Sequence, residues 1–132
     1  MTQAEAKLTS AQLEIMNLFW EHGELGVAQV RELLTNRRAK AHNIARNTVQ
    51  TMLKRLADKG WLQARAQGNA FVFRAARPRK STLRGMLAQL LDGAFGGSPS
   101  VLVMALMESR RISPAEARRI RELIDSMEEA KK

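Results

Sequence analysis

A row of polar side chains marks the stretch RNTVQTMLKRLADKGWL, which runs from Arg46 to Leu62. The row comprises Asn47, Gln50, Thr51, Lys54 and Arg55, with Arg46 and Thr48 at its amino end. Asn and Gln amides can bond adenine in bidentate fashion, Lys and Arg can bond guanine, and a Thr methyl group can contact thymine. Within this stretch no acidic residue occurs before Asp58, so the helix would not repel DNA phosphates. The row predicts a surface that contacts base edges in the major groove of DNA.

The alternative for this row is an ordinary solvated helix face without a partner. Such faces usually mix Glu with Lys, because oppositely charged side chains four residues apart stabilise a helix. Glu is missing from this stretch. The composition therefore favours DNA over an idle surface.

Basic residues on both sides of the row are candidates for phosphate contacts. Arg37, Arg38 and Lys40 lie in a connector before it, where the alternative is a flexible basic loop. Arg65 and Arg74 follow it in a predicted hairpin and are placed to contact the DNA backbone or minor groove. Together with the polar row, these five residues complete the predicted DNA-binding set.

Net charge supports a polyanionic partner. The 132 residues carry 22 Lys and Arg against 13 Asp and Glu, a formal charge of +9, and the pI is near 11.1. Between Arg31 and Lys59, eight basic residues face two acidic ones, which places a net +6 in under a quarter of the chain. A genome rich in GC could produce a similar total, but this concentration favours nucleic acid.

Several functional classes are excluded by composition. The chain has no Cys, hence no disulfide, thiolate metal site or catalytic thiol, and its two His, His22 and His42, are far apart in sequence. No Ser/His/Asp order, paired-carboxylate pattern or glycine-rich phosphate loop occurs, so we expect no enzyme, metal or cofactor. No apolar run reaches the roughly 18–20 residues of a membrane span. The beginning of the chain lacks the features of a signal peptide, so we expect a cytoplasmic protein without membrane insertion.

The elements that position the polar row are three helices and a hairpin. LTSAQLEIMNLFWEHG has a capping box at Thr9 and Gln12 and a stop at Gly23, and LGVAQVRELL predicts a second, short helix. In the third helix an apolar stripe at i, i+3, i+4 and i+7 lies opposite the row: Val49, Met52, Leu53 and Leu56. WLQARAQGNAFVFRAA then alternates around the turn QGN, which predicts a β-hairpin. The fold class is mainly α with a small β-hairpin wing, a winged helix-turn-helix over residues 1–76.

The remainder, residues 77–132, predicts a helical dimerisation region. After the composition shift at RPRKS, three helices with apolar faces follow, the last two beginning at Ser-Pro pairs that suit a cap and first turn. Three such helices make a poor free-standing core, so a second copy of the chain is expected to cover them. The alternative is that they fold back on the winged domain. The expected interface positions are Leu87, Leu90, Leu91, Val101, Leu102, Leu106, Ile120, Leu123 and Ile124.

The order of these motifs resembles the penicillinase-repressor family over nearly the whole chain. The resemblance rests on LTSAQLEIMNLFWEHGELGVAQVRELL, on NTVQTMLKRLADKGWL and on the hairpin. It implies a homodimeric winged-helix repressor on a palindromic operator, controlling β-lactamase or related cell-wall and stress-response genes. It also implies that the third helix enters the major groove and that the C-terminal helices form the dimer. A protein-interaction or non-specific nucleic-acid-binding module is the alternative function.

The resemblance further implies a mode of induction. In several members a membrane sensor leads to proteolytic cleavage in the dimerisation region, and the comparable position here is Ala105-Leu106. This pair differs from the Asn-Phe pair associated with that cleavage. A membrane sensor-protease pathway is therefore an expected partner only through the family.

Overall fold

The computed structural model describes residues 7–37 and 45–131. Six helices and three short strands follow in chain order: α1 Ser10–His22, β1 Leu25–Gly26, α2 Val27–Arg37, α3 Arg46–Asp58, β2 Leu62–Gln67, β3 Ala70–Ala75, α4 Arg79–Ala94, α5 Pro99–Glu108 and α6 Pro114–Ala130. The predicted fold class, mainly α with a β-hairpin wing, is confirmed. The chain divides into two compact units, Met1–Leu83 and Arg84–Lys132. The sequence places the boundary earlier, between residues 76 and 77.

Helix ends follow their local sequence signals. Thr9 caps α1 by accepting a hydrogen bond from the Gln12 amide while the Gln12 side chain accepts one from the Thr9 amide, so the predicted capping box is confirmed. Ser98 and Ser113 cap α5 and α6 in the same way from the side-chain oxygen, each followed by proline. Each cap satisfies an amide that the first turn of a helix leaves without a carbonyl partner.

The three strands form one antiparallel sheet in the order β1-β3-β2. Leu62 lies opposite Ala75 at the base of the hairpin, and Gln67 lies opposite Ala70 at its tip. Gly68 has φ +62° as the first of the two loop residues, a conformation that glycine adopts without strain. The predicted hairpin and its turn are thus confirmed.

Two details of the second helix differ from the sequence expectation. Leu25 and Gly26, expected to open that helix, instead form β1, paired with Phe73 and Val72. The helix also continues to Arg37, into the segment expected to be a connector. The sequence did not predict β1 because two residues are too few to show an alternating pattern. The strand also pairs with residues almost fifty positions later in the chain.

The core lies entirely in the first unit. Thirteen apolar side chains are buried there: Ile15, Met16, Leu18, Phe19, Leu25, Val30, Leu34, Val49, Leu53, Leu56, Trp61, Leu62 and Phe73. The wing is covered only at its base, where Leu62 and Phe73 enter the core, whereas Phe71 near the tip is 59% exposed. The hairpin therefore projects beyond the helices that support it.

The second unit has the opposite character. Among its described residues no side chain is buried, and ten large apolar side chains are exposed: Leu87, Leu90, Val101, Val103, Met104, Leu106, Met107, Leu123, Ile124 and Met127. Of the positions expected at a dimer interface, Leu91, Leu102 and Ile120 are half-buried and the other six are exposed. No single described helix has the length and apolarity to cross a bilayer; α4 and α5 reach them only jointly, with an 88° bend between them.

Candidate nucleic-acid interface

Helix α3 is held on the first unit by one side only. Val49, Leu53 and Leu56 have no exposed surface, and Met52 packs against the same cluster while partly exposed. The helix ends where Gly60 adopts φ +84° and the Trp61 amide donates to the Leu56 carbonyl, 2.9 Å away. Gly60 is thus the left-handed residue with which helices commonly terminate.

The other side of α3 is open to solvent. All seven residues of the polar row are exposed: Arg46, Asn47, Thr48, Gln50, Thr51, Lys54 and Arg55. The Thr51 hydroxyl donates to the Asn47 carbonyl at 2.9 Å, so its methyl group is the part left for an apolar contact. The structure therefore presents Gln50, Lys54 and Arg55 together on a helix face that contains no acid before Asp58.

The amino end of α3 differs from those of α1, α5 and α6. Its N-cap position is Ala45, whose side chain has no oxygen to accept a hydrogen bond from the first turn. Amides in such a turn carry a partial positive charge and bind anions readily. The first turn of α3 therefore has no side-chain cap from Ala45, and a phosphate group suits it as an acceptor.

The basic residues before α3 are only partly described. Arg37 is the last residue of α2, and its Nη2 lies 2.6 Å from Oε2 of Glu21. This pair is exposed on both sides, with 39% of the Arg37 side chain and 54% of the Glu21 side chain accessible. Arg38 and Lys40, expected to contact phosphate, lie outside the described residues.

On the wing, Arg65 is held by an acid from outside the hairpin. Its Nε and Nη2 atoms donate to the two carboxylate oxygens of Glu24, at 3.1 and 2.6 Å. Glu24 directly precedes β1, so pairing of β1 with β3 brings it beside the outer face of the sheet. The hydrogen bonds from Arg65 lower the pKa of Glu24, and Glu24 raises the pKa of Arg65. No local sequence pattern indicates the role of Glu24, because its partner lies 41 positions later in the chain.

The second wing arginine is also engaged within the protein. Arg74 donates from Nε and Nη2 to the Gln63 side-chain oxygen, at 3.1 and 2.8 Å, across the register pair that joins β3 to β2. Arg65 and Arg74 therefore share one face of the sheet. With Glu24, Gln63 and Ala64 they line a shallow hollow of about 560 Å³.

Arg77 fixes the chain as it leaves the wing. Its Nε donates to the Gly60 carbonyl at 3.2 Å, and its guanidinium lies 4.2 Å from the centre of the Trp61 ring. Its own carbonyl accepts a hydrogen bond from Trp20 Nε1 at 2.9 Å. These contacts tie Arg77, two residues before α4, to Trp20 in the last turn of α1 and to Gly60 and Trp61 just after α3, and no sequence motif indicates them.

Three helices, a paired hairpin and an exposed polar third helix define a winged helix-turn-helix domain of the DNA-binding class. The sequence profile of the penicillinase repressor family matches residues 8–126, and the chain belongs to that family. It is a DNA-binding transcriptional repressor, and the family is not one of enzymes. Among the described residues no group of three His, Asp or Glu side chains is placed to hold a metal ion.

The chain is also similar to several individual proteins. A penicillinase repressor from Bacillus licheniformis is 24% identical over 126 residues, covering 96% of this chain and 95% of that protein. The solution structure of the DNA-binding domain of the repressor BlaI is 29% identical, with a TM-score of 0.48, over 55% of this chain and 84% of that one. Wild-type MarR from E. coli, without ligand, gives a TM-score of 0.52 at 13% identity over 91% of this chain and 77% of that one. At that identity the likeness concerns the fold alone.

Proposed function

We propose that the protein represses transcription as a homodimer on a palindromic operator, with one α3 helix of each protomer in the major groove. The observation that carries this proposal is the division of α3 into two sides. Buried Val49, Leu53 and Leu56 hold one side on the core, and the other is exposed, polar and free of acid before Asp58. A helix held in this way can enter a groove without any change in the fold of its domain.

Base contacts and phosphate contacts fall to different parts of the site. Asn47, Gln50, Thr51 and Lys54 carry groups that distinguish base edges, and they provide the specificity. The uncapped first turn of α3, next to Arg46, provides a phosphate contact together with Arg55. Phosphate contacts then set the position of the protein on the duplex, and base contacts select the DNA sequence.

The homodimer rests on the apolar surface of the second unit. Helices α5 and α6 bury no side chain within the chain itself, although both carry large apolar residues such as Met104, Leu123 and Ile124. An exposed apolar area of this kind marks an interaction surface. A second copy supplies an identical surface, and two-fold symmetry then makes the contact self-complementary and presents two α3 helices to two half-sites.

Family membership supports a proposal for the regulated genes. The Bacillus licheniformis relative is named for repression of penicillinase. We therefore propose that the operator of this protein controls β-lactamase or other cell-wall and stress-response genes. An increase of such transcripts after deletion of the repressor gene, measured across the transcriptome, is the expected result.

Induction through proteolysis remains a prediction, and it would require local opening of α5. Ala105 and Leu106 lie inside α5, and their carbonyls accept hydrogen bonds from the amides of Ser109 and Arg111. Proteases bind extended backbone, so the carboxyl end of α5 would have to open before the bond is cut. A membrane sensor that triggers such a step is expected only by analogy with the family.

The decisive experiment compares a palindromic duplex, selected by the protein from a random pool, with a scrambled duplex at one moderate salt concentration. We expect clear preference for the selected duplex. Lys54→Ala and Arg55→Ala should each weaken binding, and the logarithmic salt slope should fall by about 0.9 for each phosphate contact removed. Arg118→Ala in α6 is the control with the same charge change. Equal, weak affinity for both duplexes would instead favour the interaction or non-specific module.

A further inference from the structure

The pair between Glu24 and Arg65 occupies the Nε/Nη2 edge of the guanidinium, one of its two edges that bind anions in bidentate fashion. Arg65 uses Nε and Nη2 together, and these two donors meet the two oxygens of one carboxylate. The same two parallel donors bind a phosphate in bidentate fashion. Arg65 can therefore hold Glu24 or a DNA phosphate through this edge, but not both at once.

The position of Glu24 in the fold favours its pairing with Arg65. It stands next to β1, whose residue Leu25 is 5% exposed and paired with Phe73 in the sheet. The backbone that carries the carboxylate is therefore fixed relative to β2, which carries Arg65. When Arg65 turns to a phosphate, Glu24 loses both hydrogen bonds and stays beside the wing as a negative charge that only the electrostatic attraction of Arg74 offsets. That charge repels the polyanion that Arg65 has joined.

We propose that Glu24 determines specificity by withholding Arg65 from DNA phosphates. This inference rests on the proposed binding of DNA by the winged-helix unit. The Glu24–Arg65 pair weakens mainly non-specific DNA complexes, because their affinity is almost wholly electrostatic. In such complexes an Arg65 without Glu24 could contact a phosphate in many orientations of the protein on the duplex. On the operator, base contacts from α3 fix the pose and supply affinity that does not depend on Arg65. Glu24 thus widens the ratio between operator and non-specific affinity.

The test is a salt titration of binding to a scrambled duplex with the full-length chain. Glu24→Gln, and Glu24→Ala as a second variant without any acceptor, should bind this duplex several-fold more tightly. The logarithmic salt slope should steepen by about 0.9, the value of one additional phosphate contact. Affinity for the selected palindromic duplex should rise less, so the specificity ratio falls.

Two controls isolate the pair. Glu122→Gln removes an equal charge from an exposed pair in α6, where Glu122 Oε2 lies 3.9 Å from Arg119 Nη1, and should leave the slope unchanged. Adding Arg65→Gln to Glu24→Gln should return the slope to the wild-type value, with unchanged thermal unfolding confirming the fold of each variant.

An unchanged slope in both Glu24 variants would overturn the inference, and so would weaker binding, since Glu24 would then orient Arg65 towards DNA. Failure of the proposed function gives a different result, in which the wild type itself does not distinguish the palindromic from the scrambled duplex.

Discussion

The described residues up to Leu83 include thirteen buried apolar side chains, whereas those from Arg84 onward include none. The charges divide as unevenly. The first unit has 14 basic and 6 acidic side chains, a net +8, and the second has 8 and 7, a net +1. One unit thus has its own core and nearly all of the surplus charge. The other has helices and an apolar surface but no core, which is the composition expected of a region completed by a second copy.

The largest effect that would test this contrast is the loss of core packing in the first unit. Leu53→Ala leaves a cavity at a fully buried position and should lower the free energy of unfolding by about 2–5 kcal/mol. Leu123→Ala in the second unit, where the side chain is 50% exposed, is the matched control. Urea unfolding at low protein concentration should show little change for it. Equal losses for both would mean that Leu123 is packed within a single chain.

The next largest effect concerns assembly. Leu123→Glu places a charge in the exposed apolar surface and should produce monomers in sedimentation velocity. Affinity for a palindromic duplex should then fall by about one to two orders of magnitude, or roughly 1.4 kcal/mol for each tenfold loss. Arg118→Gln makes the same charge change at an exposed position of α6 that does not share the helix face of Leu123 and Ile124, and should remain dimeric. A dimer that persists in Leu123→Glu would place the interface elsewhere.

A smaller effect compares how helices end in the two units. In the first, α1 and α3 end at Gly23 and Gly60, both with positive φ. In the second, Gly96 and Gly97 after α4 also have positive φ, but the residue after the C-cap of α5 is Arg110, which has φ +60° and donates its amide to the Met107 carbonyl. A non-glycine residue in this conformation costs about 1–2 kcal/mol. Arg110→Gly should therefore raise the melting temperature slightly, and a decrease would show that the Arg110 side chain contributes more than its backbone costs.

The smallest expected effect is a titration. Hydrogen bonds from Arg65 lower the pKa of Glu24 below its ordinary value of 4.5. The stabilisation from this pair is therefore complete above pH 4.5 and is lost as the pH falls through the lower pKa of the folded state. Carbon NMR of the Glu24 carboxyl group should show this lower midpoint. Arg65→Gln should return it towards 4.5, and an unchanged midpoint would show that the pair does not persist in solution.

Local signals account for what could be predicted from the sequence. Thr9, Ser98 and Ser113 act through amides within three residues, and the stripe of α3 needs only the helical repeat. These features need no knowledge of the rest of the fold. The exposed row on α3 was predictable for the same reason, because fixing one side of a helix leaves the other side free.

The parts that escaped prediction join distant segments. Strand β1 forms through the pairing of Leu25 with Phe73. Because β1 brings Glu24 to the sheet, Glu24 can accept the hydrogen bonds from Arg65. Sequence alone could name Arg65 as a cation suited to phosphate. It could not show that a carboxylate already occupies its donors, since that follows from the topology of the sheet.

The separation of the two sides of α3 also bears on how new specificities can arise. Gln50, Thr51 and Lys54 can be exchanged for other polar residues while Val49, Leu53 and Leu56 remain unchanged. Such exchanges fall on the surface, where substitutions rarely alter stability by more than about 0.5 kcal/mol. Duplicated copies of the gene could therefore diverge in operator sequence without passing through unstable intermediates. For the same reason, a library that varies these three positions without proline or glycine should consist mostly of folded proteins, and selection could then act on DNA preference alone.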